Sequence, residues 1–397
     1  MQPKAWIAAL LFCAAGLCRG APGGLREAVR SGDLAAIKNL IDAGADLNER
    51  DSLGATPLLD AAWYGNEQIV RMLVEGGARV DAAHEEGGST PLDYAVLRGN
   101  ATIARLLIDR GAKSSRALHT AATHGQAEIA QLLIAAGAPC DSRDDNGSSP
   151  LDLAAMEGNR ETVEALLAGG AKVDSPHPAT GATPLLEAAG KGNAAAVAIL
   201  LRVGADPRHK DRDGHTPLEN AAEAGRVEVV GSILDHVGDT PAHLSMLLRA
   251  AADRGDARLV SLLAARGADL DEGAPLNIAA RKGFVGVAEA LFEFKASPNR
   301  PDSTGATPLY DAAVGGHAAM VSLLIRHGAS ANVRDSESGD TALYAASSLG
   351  HTEVVHVLLA HGADPNLPNK AGHRPLYAAA SNGYSELATE INRRGGK

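Results

Sequence analysis

The sequence predicts an all-α solenoid built from stacked helix-turn-helix units. Three observations carry that expectation. A phrase of thirteen residues, GATPLLDAAWYGN at 54–66, returns as GATPLLEAAGKGN at 181–193 and as GATPLYDAAVGGH at 305–317. The glycine that closes it recurs as Gly32, Gly65, Gly99, Gly125, Gly158, Gly192, Gly225, Gly255, Gly283, Gly316, Gly350 and Gly383, in steps of 33, 34, 26, 33, 34, 33, 30, 28, 33, 34 and 33. A period near 33 over almost the whole chain marks a repeat architecture, which grows by adding layers and does not split into separate cores. Finally, aromatics are only 3% while Ala, Gly and Leu abound, the composition of a core filled by small side chains between close helices.

In chain order, residues 1–20, MQPKAWIAALLFCAAGLCRG, stand apart from the repeat. Lys4 gives a positive start, Ala5 to Cys18 is an apolar stretch of fourteen residues, and a small-residue break follows. This reads as a secretory signal peptide, too short for a bilayer of roughly 30 Å of hydrocarbon. A short buried helix is the alternative. Cys13 and Cys18 fall inside it, so only Cys140 would remain in the exported chain, where a lone thiol forms no internal disulfide. The expected location is therefore secreted or periplasmic.

Residues 21–397 read as one repeat array, with units starting near 25, 54, 88, 114, 147, 181, 214, 241, 274, 305, 339 and 372. In the unit at 54, Thr56-Pro57 opens a first helix, since Thr caps free N–H groups and Pro tolerates the first helical position. Leu58, Ala61 and Ala62 make its apolar stripe, and Gly65 ends it. Ile69, Val70, Leu73 and Val74 repeat with the helical period in a second helix, which Gly77 closes. Neither helix is long enough to stand alone in water; each is expected to bury its stripe against neighbouring units.

The pattern Thr-Pro-Leu-x-x-Ala-Ala-x-x-Gly, then Val-Val-x-x-Leu-Leu, then Gly-Ala-Asp-x-Asn, resembles the ankyrin repeat. GHTPLENAAEAGRVEVV at 214–230 and TALYAASSLGHTEVVHVLLAHGADPN at 341–366 carry it most fully. The resemblance implies antiparallel helix pairs, loops projecting as β-hairpin fingers, and a concave face that binds other proteins. The sequence departs from that pattern in places. The His expected after Thr-Pro-Leu occurs only as His119; elsewhere the position holds Leu59, Asp93, Asp152, Leu186, Glu219, Asn277, Tyr310, Tyr344 and Tyr377. Lys295 replaces a helix-ending Gly and should be strained there. The joins at 111–117, 236–246 and 267–275 are too short for full fingers and would divide the finger row into blocks of roughly 25–113, 114–240 and 274–397. Arg26, Glu27, Arg30 and Ser31 at one end, and Glu386, Thr389, Asn392 and Arg393 at the other, read as polar outer faces that keep an array soluble.

By the geometry the resemblance implies, the drifting letters before each Gly face the concave side. In the early units they include Trp63, Tyr64, Tyr94, Leu97, Arg98, His124 and Met156, and Trp, Tyr and Arg are the residues most enriched in hot spots. These seven are the candidate protein-binding residues; packing of Trp63 and Tyr64 on their own loops is the alternative. Tyr310, Tyr344 and Tyr377 read instead as structural.

The formal charge of −11 argues against a nucleic-acid partner. His351, Glu353 and His356 are spaced wrongly to share a helix face, and Asp141, Asp144, Asp145 and Asn146 lack the closing Glu of a calcium loop. No catalytic, metal or cofactor residues are assigned, and a monomer without a membrane span in the mature chain is expected. The reading is a non-catalytic scaffold for a protein partner; the alternative is an enzyme or enzyme subunit with a site in the concave groove.

Overall fold

The structure, a computed structural model, describes residues 24–85 and 87–397. The signal-peptide reading of 1–20 therefore lies outside the described residues. Among those described there are 24 helices and no named strand. The chain divides into two compact units, one ending at Ala179 and one spanning Thr180–Lys397. That division coincides with none of the three short joins. The first unit holds five helix pairs, from Leu25–Ser31 with Leu34–Asp42 to Pro150–Glu157 with Arg160–Ala168. The second holds seven, from Pro184–Lys191 with Ala194–Arg202 to Pro375–Ser381 with Ser385–Arg393.

Most first helices start at a Thr or Ser whose side chain caps them. Thr56 is extended and its side chain accepts the Leu59 N–H at 3.3 Å, with Pro57 in the first turn. Thr90 with Asp93, Ser149 with Asp152, and Thr216 with Glu219 form reciprocal capping boxes. Leu58, Ala61 and Ala62 of the first helix and Ile69, Val70, Leu73 and Val74 of the second are buried, so the two stripes read from sequence form the core.

The closing glycine has two reasons to be there. Gly192 sits at φ 89°, a left-handed conformation that disfavours side chains, and a Cβ on it would stand 2.7 Å from Arg226 Cδ of the next pair. In several units the residue after the closing Gly reaches back to cap the preceding first helix, while Asn66 and Asn100 cap their own second helix instead. Asn159 Nδ2 donates to Ala122 O at 2.9 Å, His317 Nε2 to Arg281 O at 3.0 Å, and His351 Nε2 to Val314 O at 3.1 Å. Carbonyls that a helix end leaves unpaired are thus satisfied from the next layer. The Asn of Gly-Ala-Asp-x-Asn makes a second ladder: Asn299 Oδ1 accepts Ser330 N at 2.8 Å while its Nδ2 donates to Gly328 O at 2.9 Å.

Four expectations are corrected or sharpened. The fingers turn back on themselves, but among the described residues only one isolated bridge, Arg334 with Thr341, has strand geometry. An Asp or Asn closes several of the turns instead: Asp51 Oδ1 accepts Leu53 N and Ala55 N at 2.9 and 2.8 Å, and Asn369 Oδ1 accepts Ala371 N and His373 N at 3.0 and 2.9 Å. The join at 236–246 is not merely a shortened loop, because Pro241–Arg254 is a helix of 14 residues capped by Thr240. Lys295 is left-handed at φ 67°, as expected, and so is Ala274 at φ 51°, which was not. Arg26 and Arg30 are not a purely solvent-facing end: both turn toward Asp51 and Asp60 of the next pair, Arg26 half-buried and Arg30 exposed. At the other end Glu386, Thr389, Asn392 and Arg393 are exposed.

Candidate protein-docking site

In the first unit, Pro57–Tyr64 and Pro91–Leu97 lie side by side and bring three predicted residues into contact. The Trp63 and Tyr94 rings meet edge to face with centroids 5.4 Å apart at 72°. Arg98 places its guanidinium carbon 5.4 Å from the Trp63 ring centroid. Such contacts stabilise by about 0.5–1.5 kcal/mol each and hold large side chains in one arrangement. Around this cluster Tyr64 is 51% exposed and Leu97 37% exposed, as large apolar side chains are at other first-helix ends too, Val314 at 37% and Leu349 at 45%. His124 is exposed and bonded through Nδ1 to Thr120 O of its own helix at 2.9 Å. Met156 is half-buried at the end of Pro150–Glu157. The structure thus joins Trp63, Tyr94 and Arg98 directly and places Tyr64, Leu97, His124 and Met156 at equivalent helix ends.

The position that the family fills with His links successive layers by varied chemistry. His119 Nε2 donates to Ser142 O at 3.0 Å, and Asn277 Nδ2 to Ala306 O at 2.8 Å. Tyr310 and Tyr344 bond through their hydroxyls to Ser338 and Asn369 of the next fingers, and burial pushes both phenols above their usual titration range. Glu219 instead meets the His243 imidazole at 3.4 Å.

Sequence reading missed two ionic networks of matching design. In the first unit, Arg26 NH1 lies 2.5 Å from Asp51 Oδ2 and its NH2 2.6 Å from Asp60 Oδ2, with Arg30 Nε 3.3 Å from Asp60. In the second, Asn277 Nδ2 donates to Asp311 Oδ2 at 2.9 Å, and Arg281 reaches Asp311 at 3.0 Å and Asp302 at 3.1 Å. Burial acts to raise Asp51 and Asp302, but hydrogen bonds outweigh it and hold both below the usual carboxylate range. Asp311 is pushed upward by burial, against the pull of Arg281 and Asn277.

The other polar candidates are occupied structurally. His351 is one of the helix caps above. Asp144 Oδ1 accepts the Asn146 and Ser148 amides, and Asp141 accepts Lys172 N at 2.9 Å. Among the described residues no group of three His, Cys, Asp or Glu is arranged to hold a metal ion. Burial, and then Asp141, raise the Cys140 thiol above its usual range, which disfavours the reactive thiolate. The cavity beside Asn277 has about 10 Å³, room for one water at most. No described helix is long and apolar enough to cross a membrane.

Paired short helices, layer-to-layer caps and an exposed aromatic ridge define a stacked-repeat interaction scaffold. The chain belongs to the ankyrin-repeat family: the family model "Ankyrin repeats (3 copies)" matches residues 25–116, 113–177, 172–243, 247–335 and 330–392. It is similar to protein phosphatase 1 regulatory subunit 27 of Mus musculus, 46% identical over 63 residues, which are 16% of this chain and 41% of that one. Ankyrin repeat and SOCS box protein 3 of Homo sapiens is 33% identical over 201 residues, 51% of this chain and 34% of that protein. The matches thus span less than half the length of these curated relatives. Among solved structures, the ankyrin repeat domain of Bcl-3 is matched over its whole length and 55% of this chain, at 30% identity and a TM-score of 0.48.

Proposed function

We propose that the chain is a non-catalytic scaffold, monomeric and exported from the cytoplasm, that captures a protein partner on the Trp63 ridge. One observation carries the reading. Trp63 is held by Tyr94 and Arg98 while Tyr64 and Leu97 beside it stay exposed, so a rigid aromatic anchor is presented with little side-chain freedom left to lose. One relative is named as a regulatory subunit of a phosphatase, which supports a partner-binding reading. The leader-like 1–20 and the solitary Cys140 after it support export. The enzyme alternative calls for ionisable groups converging in a closed pocket, whereas the ridge is an open helix face.

Trp63→Ala with Tyr64→Ala should reduce crosslinked partner capture at least about tenfold, the effect of losing a hot spot, while helical circular dichroism is retained. Unchanged capture by a folded double variant would sink the ridge. Fractionation that leaves the chain in the cytoplasm with residues 1–20 intact would overturn the export part.

A further inference from the structure

We infer that Asn146 is a self-modification site, where the chain converts an asparagine to aspartate and isoaspartate with water as the only other reactant. The sequence has two Asn-Gly pairs, Asn146-Gly147 and Asn382-Gly383. In most respects they match. Both Asn residues are exposed, and both Gly residues are left-handed, at φ 91° and 84°. Each Gly N–H donates to the carbonyl three residues back, Asp144 O at 2.9 Å and Ala380 O at 3.2 Å. The side chains differ. Asn382 Nδ2 donates to Ser348 O at 2.9 Å and to Ser348 Oγ at 3.1 Å, which pins its amide to the preceding layer. The Asn146 amide makes no hydrogen bond among the described residues. That residue is held through its backbone alone, its N donating to Asp144 Oδ1 at 3.0 Å and its O accepting from His177 Nε2 at 3.0 Å.

The reaction begins when Gly147 N gives its proton to solvent base and attacks Asn146 Cγ. The new N–Cγ bond closes a succinimide ring, the Cγ–Nδ2 bond breaks, and the nitrogen leaves as ammonia with a proton from water. Water then opens the ring at either carbonyl. Breaking N–Cγ gives Asp at 146; breaking the former peptide bond routes the main chain through the side chain as isoaspartate. In either pair the Gly N–H must first leave its carbonyl, a cost the two share. As that proton departs, negative charge spreads onto the Asn carbonyl oxygen. Ala179 N donates to His177 Nδ1 at 3.2 Å, so Nε2 carries the proton and places a donor on the Asn146 oxygen where the charge develops. Among the described residues nothing donates to the Asn382 carbonyl.

Packing itself imposes the unhindered neighbour that makes Asn146 reactive. A Cβ at 147 would lie 3.2 Å from His177 Nε2 and 3.3 Å from Pro178 Cδ of the following finger, and φ there is left-handed, so the site calls for glycine. Both products add a carboxylate beside Asp144 and Asp145. Isoaspartate also inserts a carbon into the turn that Asp144 Oδ1 closes on Asn146 N and Ser148 N, at 3.0 and 2.8 Å. Conversion thus undoes this turn and its tie to His177.

The test ages the full chain in mildly alkaline buffer and follows both Asn-Gly segments by peptide mapping and mass spectrometry, with isoaspartyl methyltransferase labelling to separate the products. The same two segments, as free synthetic peptides, give each rate without the fold. In the folded chain Asn146 should convert about tenfold faster than Asn382, the effect on a barrier of the two bonds that hold Asn382, while the free peptides convert at similar rates. Equal rates in the folded chain, or a faster Asn382, overturn the inference. So does an Asn146 slowed by the fold, relative to its own peptide, as strongly as Asn382 is. His177→Ala should slow Asn146 several-fold with helical circular dichroism retained; an unchanged or faster rate overturns the part given to His177.

Discussion

The two ionic networks solve one problem with different numbers of charges. Asp51 and Asp302 each open a finger turn, and Asp60 and Asp311 each lie in the first helix that follows, five residues before its closing Gly65 or Gly316. Facing them from the preceding helix are Arg26 and Arg30 in the first unit, but Asn277 and Arg281 at the same places in the second. Two carboxylates thus meet two cations in one unit, and one cation with a neutral amide in the other. The amide satisfies a hydrogen bond without supplying charge. Asp311 is accordingly raised by burial even while bonded, which identifies the second network as the less compensated of the two.

That difference should show first in the effect of losing an arginine. Arg281→Ala leaves Asp311, only 6% exposed, with no cation beside it, and should cost about 3 kcal/mol. The half-exposed Arg281 keeps the figure at the low end of that for buried pairs. Arg26→Ala should cost about 1–2 kcal/mol, because Arg30 stays within reach of both carboxylates. Asn277→Ala, which strips Ala306 O and Asp311 of a buried donor, should cost about 2 kcal/mol. An array of this kind need not unfold in one step, so amide hydrogen exchange within Pro275–Lys282 and Leu25–Ser31 is the measurement to make. Equal losses at Arg281 and Arg26 would break the comparison.

Acidity should separate the networks next. Asp51 and Asp302 are depressed in the folded chain, so each adds stability that is present above the unfolded value near 3.8 and lost as pH falls through the lower folded value. Asp311 works in the opposite sense. Its folded value is raised, so its ionised form weighs against folding at neutral pH, and protonation relieves this as pH falls through the raised value toward 3.8. Protection of Pro308–Val314 should therefore rise slightly on mild acidification and then collapse. Asp311→Asn should abolish the rise and keep the collapse; a rise that persists in this variant would assign it to another group.

Much of the fold was legible because each signal is local. Thr-Pro starts, glycine stops and the apolar stripes lie within one unit, and they placed helices such as Pro57–Tyr64 and Glu67–Glu75 well. The closeness of Trp63, Tyr94 and Arg98 was legible too, since first helices of successive units pack side by side. What failed was ionic pairing between layers. Arg26 and Arg30 read as an outer face because their partners lie 21 to 34 residues away, on a turn and a helix of the next layer. The signal existed: Asp60 and Asp311 are each preceded, one unit back, by an Arg two residues before a closing Gly. The helix Pro241–Arg254 was also readable from Thr240-Pro241 and the spacing of Leu244, Leu247, Leu248 and Ala251, but the missing finger drew attention to the loop instead. Ala274 carries no such mark, because a left-handed alanine is imposed by the short join and not by its own preference.

The smallest expected effect sharpens the contrast between aromatic residues that hold layers together and those that face outward. Tyr310 is the third residue of its helix and Tyr64 the eighth of its own. At 3.6 residues per turn those five positions rotate the side chain to nearly the opposite side. Tyr310 is accordingly bonded to Ser338 of the next finger, while Tyr64 is 51% exposed. Tyr310→Phe keeps the ring and removes the bond, and should cost about 1 kcal/mol, read as a lower urea midpoint, with partner capture unchanged. Tyr64→Phe should move the midpoint by less than about 0.5 kcal/mol, as for other surface changes, whereas Tyr64→Ala should weaken capture at similarly intact stability. Capture lost in Tyr310→Phe, or stability lost in Tyr64→Ala, would mean that register along the first helix does not divide the aromatic side chains between cohesion and recognition.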